Sequence, residues 1–255
     1  MNWFNQEEDD LIHEIKQIVA NSKSSYGYRR VTMVLRHRGR HINHKRVNRL
    51  MKEHALKCWK FHRRNRSYSS YKGNVGKIVK NELNRQFSAN QSHKIWVSDV
   101  IEFRVADRKL YLSPILDLFN SEIVSFSLSQ RPTSDFTNES LSKAIKVLPN
   151  NHEELMIHSD QGMNYQHTSW VKLLDKHNIK QSMSRKGNCL DNSPIESFFG
   201  LLKQEMFHGN KFNTINKLEK EIIKTIHWYN NDRIKTKLKG LSPVQYRKES
   251  LQLNH

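Results

Sequence analysis

Apolar positions change their spacing twice along this chain. Within residues 6–20, Leu11, Ile12, Ile15, Ile18 and Val19 fall on one side of a helix. After a polar break at residues 21–28, Val31, Val34 and Leu35 form a second short stripe, and Gly39 supplies a turn. Asn43 is placed to cap a third helix whose inner face is Val47, Leu50 and Met51, at i, i+3 and i+4. Its outer face is Lys45, Arg46, Asn48, Arg49 and Lys52. Helix, turn and basic helix is what a helix-turn-helix requires, apolar inside and able to touch phosphates and bases outside. An ordinary helical hairpin with a solvated basic face has the same pattern. Residues 1–56 are assigned to this all-α unit.

Residues 57–92 are polar, basic and rich in Ser and Asn, and read as a linker. Arg63, Arg64, Arg66, Tyr68 and Tyr71 would suit a path along a DNA backbone, as they would suit a solvated connection. From residue 93 the spacing becomes that of strands: WVSDVIEFRV, KLYLSPILDLF and EIVSFSLS, joined by short turns, predict an antiparallel meander. Helical spacing follows at 135–147, a buried strand at 155–158, a helix at 168–177 and a strand at 179–183. A Gly-Asn loop at 187–188 then leads into a long helix from residue 192, with another at 215–231. The layout is α/β with a mixed sheet. Residues 93–210 are expected to form the core and 211–255 its C-terminal helical extension.

Charge sharpens this division. The chain carries 43 Lys and Arg against 25 Asp and Glu, a net of +18. A globular protein this basic usually meets a polyanion, most often nucleic acid. Residues 1–90 hold 20 basic against 7 acidic side chains, while residues 91–255 hold 23 against 18. The first third grips, and the rest spends its carboxylates elsewhere. The two cysteines, Cys58 and Cys189, have no metal-ligand spacing and imply no disulfide framework. The N-terminus lacks an apolar signal core, and no apolar run nears the ~20 residues needed to span a bilayer. A cytoplasmic protein without a membrane partner is expected.

Three acids stand out by position. Asp99 lies among apolar and aromatic residues in WVSDVIEF, where a carboxylate is costly unless it binds something. Asp160 follows the strand LMIHS, at the kind of strand end where α/β sheets place ligands. Glu196 is early in the long helix, and Lys203, seven residues on, shares its face, as does Asn192 four residues before. Hydrolysing or transferring a phosphodiester requires charge neutralisation and an activated oxygen nucleophile. Divalent ions held by a few carboxylates supply both. Each acid alone also reads as a surface acid or helix cap.

Together these segments resemble the DDE transposases and retroviral integrases, and within them the OrfB-type transposases of the IS-three insertion-sequence family. WVSDVIEF, KLYLSPILDLF, HSDQGMNY, SMSRKGNCLDNSPIESFFGLLKQE and YNNDRIKTKLKGLSPVQY have counterparts there in this order, and the likeness runs from about residue 26 to 247. Asp160 and Glu196 are separated by 35 residues, the spacing of that group. The resemblance implies a ribonuclease H-like fold, a five-stranded mixed sheet with flanking helices. It also implies Asp99, Asp160 and Glu196 as catalytic ligands of two Mg²⁺ or Mn²⁺ ions. Asn192 and Lys203 would position terminal DNA, with Lys45, Arg46, Arg49, Lys52, Arg63 and Arg64 as further DNA contacts. The implied reaction is cleavage at the element's ends and strand transfer to target DNA. The implied partners are terminal repeats, target DNA, further copies of the chain and an upstream-frame protein or fusion, in the bacterial cytoplasm at the nucleoid.

Ile101, where many relatives have Thr, and Met163-Asn164 depart from the family pattern without removing a ligand. Asp117 and His158 read as structural, Glu102 as lying on the strand face opposite Asp99, and Asp191 and Glu205 as lying off the Glu196 stripe. Tyr229, Asn230, Arg233 and Ser242-Pro243 match the family with no role legible in them. A metal-dependent nuclease without strand transfer, and a catalytically incomplete DNA-binding regulator, remain alternative readings.

Overall fold

The computed structural model describes residues 3–58, 78–149 and 154–252. By contact the chain divides into two compact units: residues 1–65 with 231–253, and residues 66–230. Arg63, Arg64, Arg66, Tyr68 and Tyr71 lie outside the described residues.

The first unit begins with α1 (Trp3–Asn21), α2 (Tyr28–His37) and α3 (His44–Glu53). Leu11, Ile15, Ile18, Val19, Val31, Leu35, Val47, Leu50 and Met51 are all buried, so the three stripes close on one another. The Asn43 side chain caps α3, accepting from Lys45 N–H at 2.9 Å. Gly39 makes the turn at φ 85°.

The second unit holds β1 (Ile95–Ser98), β2 (Ile101–Val105), β3 (Arg108–Asp117), β4 (Ile123–Ser129), α4 (Ser134–Ile145), β5 (Met156–Ser159), α5 (Met163–Gln166), α6 (Thr168–Lys176), β6 (Lys180–Met183), α7 (Ser193–Leu202) and α8 (Ile215–Asn231). β3 pairs antiparallel with β2, β1 and β4. β1 pairs parallel with β5, and β5 with β6. β1 and β2 lie end to end along β3: the chain leaves the ladder at Asp99-Val100 and rejoins it. The expected first strand is therefore one lane with a break at Asp99, and the six strands fill five lanes. This is the ribonuclease H-like mixed sheet.

Alternation along the strands makes two apolar layers. Val97, Phe103, Leu112 and Leu116 pack with Ile195, Phe198, Leu202, Ile222 and Ile226 of α7 and α8. Trp96, Ile115, Ile157 and Met183 pack with Leu141, Trp170 and Leu174 of α4 and α6. Residues 78–92 are not the solvated linker expected of them. Leu83 is buried in the first of these layers, and the Glu82 and Leu83 N–H groups donate to Ser182 Oγ on β6 at 2.9 and 3.2 Å.

Of the segment expected to extend the core, residues 211–230 group with the second unit, whereas residues 231–252 group with the first. Tyr26 Oη accepts from Ile234 N–H at 2.8 Å and donates to the Asp232 carbonyl at 3.4 Å. A Cβ at Gly240 would lie 2.9 Å from both Met33 and His37 of α2, and its φ is 84°. The segment ends in α9 (Pro243–Gln252). Ser242 and Gln245 form a reciprocal capping box at its start: Gln245 N–H donates to Ser242 Oγ at 3.3 Å, and Ser242 N–H to Gln245 Oε1 at 2.9 Å. Pro243 occupies the first helical position, where its missing N–H is no loss. Just before the division, Tyr229 Oη donates to the Ser121 carbonyl at 2.9 Å. The Asn230 amide both accepts from Ile123 N–H and donates to Ile123 O, each at 2.9 Å. Both motifs left without a role in the sequence thus fasten the chain where α8 leaves the core and where α9 begins.

Candidate active site

Strand pairing brings the two aspartates together. In the parallel β1–β5 ladder, Ile95, Trp96 and Val97 stand opposite Met156, Ile157 and His158. Continued by two residues, the same register sets Asp99 beside Asp160 at adjacent strand carboxyl ends. Asp99 Oδ1 accepts from Val100 N–H at 2.7 Å, inside the break between β1 and β2. Asp160 Oδ1 accepts from Gly162 N–H at 2.9 Å, where a Cβ on residue 162 would also lie 2.9 Å away. Gly162 thus gives the carboxylate both a donor and room.

Glu196 lies in the first turn of α7. With Phe199, Gly200, Lys203, Phe207 and His208 it forms one wall of a cleft of about 770 Å³, and residues 99–104 form the other. The expected Glu196–Lys203 stripe is present, although a π-helical turn over Lys203–Phe207 follows α7. Lys203 Nζ stands 5.8 Å from the Phe103 ring centroid.

All three carboxyls titrate above the usual range. Burial raises Asp99 most, and the charges of Asp160 and Glu196 raise it further, against the Val100 hydrogen bond. Burial raises Asp160 and Glu196, with the Gly162 N–H partly offsetting it at Asp160. Beneath them Tyr165 is buried, its hydroxyl 3.1 Å from Ser98 Oγ, and is pushed well up by burial and by Asp99 and Asp160. Hard oxygen donors that resist ionising side by side are what a divalent cation relieves, so these residues fit such an ion. Among the described residues, no three His, Cys, Asp or Glu side chains stand close enough together to hold a metal ion as they are placed.

The other expected residues sort differently. Asn192 does not line the cleft with Glu196 and Lys203. It is buried, and its Nδ2 donates to the Ser98 carbonyl at 3.3 Å, because a short 3-10 turn at Cys189–Asn192 precedes α7 and redirects it. Glu102 is among the residues that line the cleft with Asp99. The register of β1 and β2 along β3 is nonetheless continuous and keeps Val97, Ile101, Phe103 and Val105 in one apolar layer, so Glu102 stays out of phase with them as its position in the strand implies. Burial raises Glu102, but bonds from Arg104, Lys109 and Tyr111 outweigh it and hold the carboxyl near about 2. His158 is buried between Ser182 Oγ (2.8 Å) and Ser184 Oγ (3.0 Å), and burial lowers it to about 4. Asp117 accepts from the His93 and Phe119 N–H groups at 2.7 and 2.9 Å. Lys45, Arg46, Arg49 and Lys52 are exposed on α3, with Arg46 and Arg49 held by Glu8 at 2.9 and 3.3 Å. Asp191 carries more than its sequence signalled: it is buried, with hydrogen bonds from Asn81, Arg85 and Arg185.

Comparison with known proteins agrees with this architecture. Residues 6–65 match the HTH-like domain family, and residues 89–189 and 196–251 match two integrase core domain families. InsK, the transposase assigned to insertion sequence element IS150 in Escherichia coli K12, is 46% identical over 241 residues, 94% of this chain and 84% of that protein. The chain belongs to the IS-three family of insertion-sequence transposases. InsF, the transposase of IS3A in Escherichia coli, is 31% identical across 90% of this chain and 79% of its own length. An uncharacterized transposase-like protein of Haemophilus influenzae is 47% identical across 82% of this chain and 95% of its length. This transposase is a polynucleotidyl transferase of the retroviral-integrase type, and it acts in DNA transposition and integration. No helix among its described residues is long and apolar enough to cross a membrane.

Proposed function

We propose that Asp99, Asp160 and Glu196 are the catalytic carboxylates of this transposase and would hold two divalent ions, Mg²⁺ or Mn²⁺. The observation that carries the reading is the β1–β5 register, which ends in two adjacent acids, with Glu196 facing Asp99 across one cleft. Such ions, when bound, neutralise the scissile phosphate and activate the oxygen nucleophile. The chain's own groups do the rest. The Val100 and Gly162 N–H groups orient the two aspartates. Lys203, on the Glu196 face, supplies positive charge for a phosphate of terminal DNA. Lys45, Arg46, Arg49 and Lys52 offer a basic helix face for duplex DNA.

The reaction proceeds in two displacements. Water attacks the phosphodiester at the element's end and releases a 3′-hydroxyl. That hydroxyl attacks a target phosphodiester, forming one ester as another breaks, so no external energy source is consumed. Terminal repeats and target DNA are the substrates. Further copies of the chain, and an upstream-frame protein or fusion, are its partners at the bacterial nucleoid. The test is an oligonucleotide carrying the element's end, incubated with Mg²⁺. Asp160→Asn abolishes both cleaved and joined products while leaving binding of the end intact; an Asp160→Asn protein that cleaves and joins like wild type overturns the assignment.

A further inference from the structure

Glu196 sits on a helix whose start is fastened in an unusual way. The Asp191 carboxylate, wholly buried, receives five hydrogen bonds. Arg185 gives it Nε and Nη2 at 2.8 Å each and its backbone N–H at 3.1 Å; Arg85 gives Nε at 2.8 Å and Asn81 gives Nδ2 at 3.0 Å. Arg85 Nη2 also donates to Asn188 Oδ1 at 3.2 Å. Arg185 and Asn188 come from the loop between β6 and α7, whereas Asn81 and Arg85 come from the segment that enters the core from the N-terminal side. The bonds from Arg185 and Arg85 hold the Asp191 carboxyl below the usual range, in keeping with a permanently ionised centre.

The next residue fastens the other side. Asn192 occupies the cap position of α7, where an asparagine would ordinarily accept from the first helical N–H groups; it makes no such bond. Its Nδ2 goes instead to the carbonyl of Ser98, the residue before Asp99, and its buried Oδ1 takes no hydrogen bond. A residue that gives up its cap and leaves an oxygen buried is held there by something other than helix stability.

We infer that Asp191-Asn192 is a positioning element for the transposase reaction. Asp191 anchors the loop to Arg85, Asn192 ties the start of α7 to β1, and together they set where Glu196 stands relative to Asp99. None of these residues touches the reacting atoms. The inference rests on the reading of Glu196 as the third carboxylate.

Arg85 is the informative position, because its side chain is partly exposed and its loss leaves the apolar layers intact. The full chain is compared as wild type, Arg85→Ala, Arg85→Lys, Asn192→Ala and Glu196→Gln. The measurements are single-turnover cleavage of an element-end oligonucleotide, affinity for that end, Mn²⁺ binding by calorimetry, and melting temperature. Arg85→Ala and Asn192→Ala lower the cleavage rate and Mn²⁺ affinity by about 10- to 100-fold, the scale of lost supporting bonds around metal ligands. DNA affinity is retained, and Arg85→Lys recovers part of the loss by restoring a donor to Asp191. If both alanine variants cleave and bind Mn²⁺ like wild type while Glu196→Gln is inactive, the positioning role is wrong and the catalytic assignment stands. If their losses track a falling melting temperature and DNA affinity, with no recovery in Arg85→Lys, the knot is merely structural and the proposal fails. If Glu196→Gln remains active, the catalytic assignment itself falls.

Discussion

Gly162→Ala changes one methyl group and aims it at one carboxylate. Gly162 has φ −63°, open to any residue, so alanine brings no backbone strain. The new Cβ would lie 2.9 Å from Asp160 Oδ1 and 3.6 Å from its Cγ and Oδ2. Ordinary contact begins near 3.4 Å, so one group must yield by about 0.5 Å. The same oxygen accepts from Gly162 N–H at 2.9 Å, so retreat of the carboxylate also lengthens that bond. Misplacing a catalytic group by ~1 Å costs about 100-fold, so a shift of half that size should cost about 10-fold in cleavage rate, or about 1.4 kcal/mol at the transition state. Removing a glycine from the unfolded chain acts the other way on stability, by about 0.4–1 kcal/mol, so the melting temperature should hold or rise. Single-turnover cleavage and melting curves on the same preparation separate the two effects. Cleavage at the wild-type rate would refute the claim that Asp160 is oriented through Gly162. So would a rate loss matched by a fallen melting temperature.

The raised carboxyls of Asp99, Asp160 and Glu196 bind protons more firmly in the folded chain than in the unfolded one. Their stabilising effect is therefore fully present below the unfolded carboxylate range and is lost as pH rises through the raised values. In EDTA, the melting temperature of wild type relative to Asp99→Asn should fall across that window; a pH-independent difference contradicts it. Ser242→Ala removes one half of the capping box before α9 and should cost about 1 kcal/mol in denaturant unfolding; an unchanged midpoint would show the cap to be idle. Gly240→Ala meets both a positive φ and the side chains of Met33 and His37, and should destabilise by more than 1 kcal/mol or so, against the usual gain from replacing glycine. Equal or greater stability by the same assay would disprove the close packing of residues 231–253 on α2.

Much of this transposase was written in short-range pattern. The stripes of α1 to α3 and the Asn43 cap follow from residues a few positions apart, and the structure keeps them. So does the i, i+7 relation of Glu196 and Lys203, because helical geometry alone puts both on one face. Asp99 was conspicuous because a charge among apolar strand residues needs a reason. Chain-long likeness then joined three acids that spacing alone could not join.

What tertiary structure decided are the relations between residues far apart in sequence. Whether Asn192 faces solvent or Ser98 depends on a loop conformation and on a strand 94 positions earlier. Asp191 takes three of its hydrogen bonds from Arg185, six residues before it, but its ties to Arg85 and Asn81, 106 and 110 residues away, could not be read from the local sequence. The polar texture of residues 78–92 concealed Leu83, because burial of one side chain leaves no periodic trace. Residues 231–253 belong with α2 through Tyr26, more than 200 positions away, and only packing could show that. Helix stripes and caps are settled by neighbours a turn apart, so sequence alone sufficed for them. The orientation of Glu196 and the company kept by the C-terminal segment are settled by desolvation and long-range hydrogen bonds, which exist only once the chain has folded.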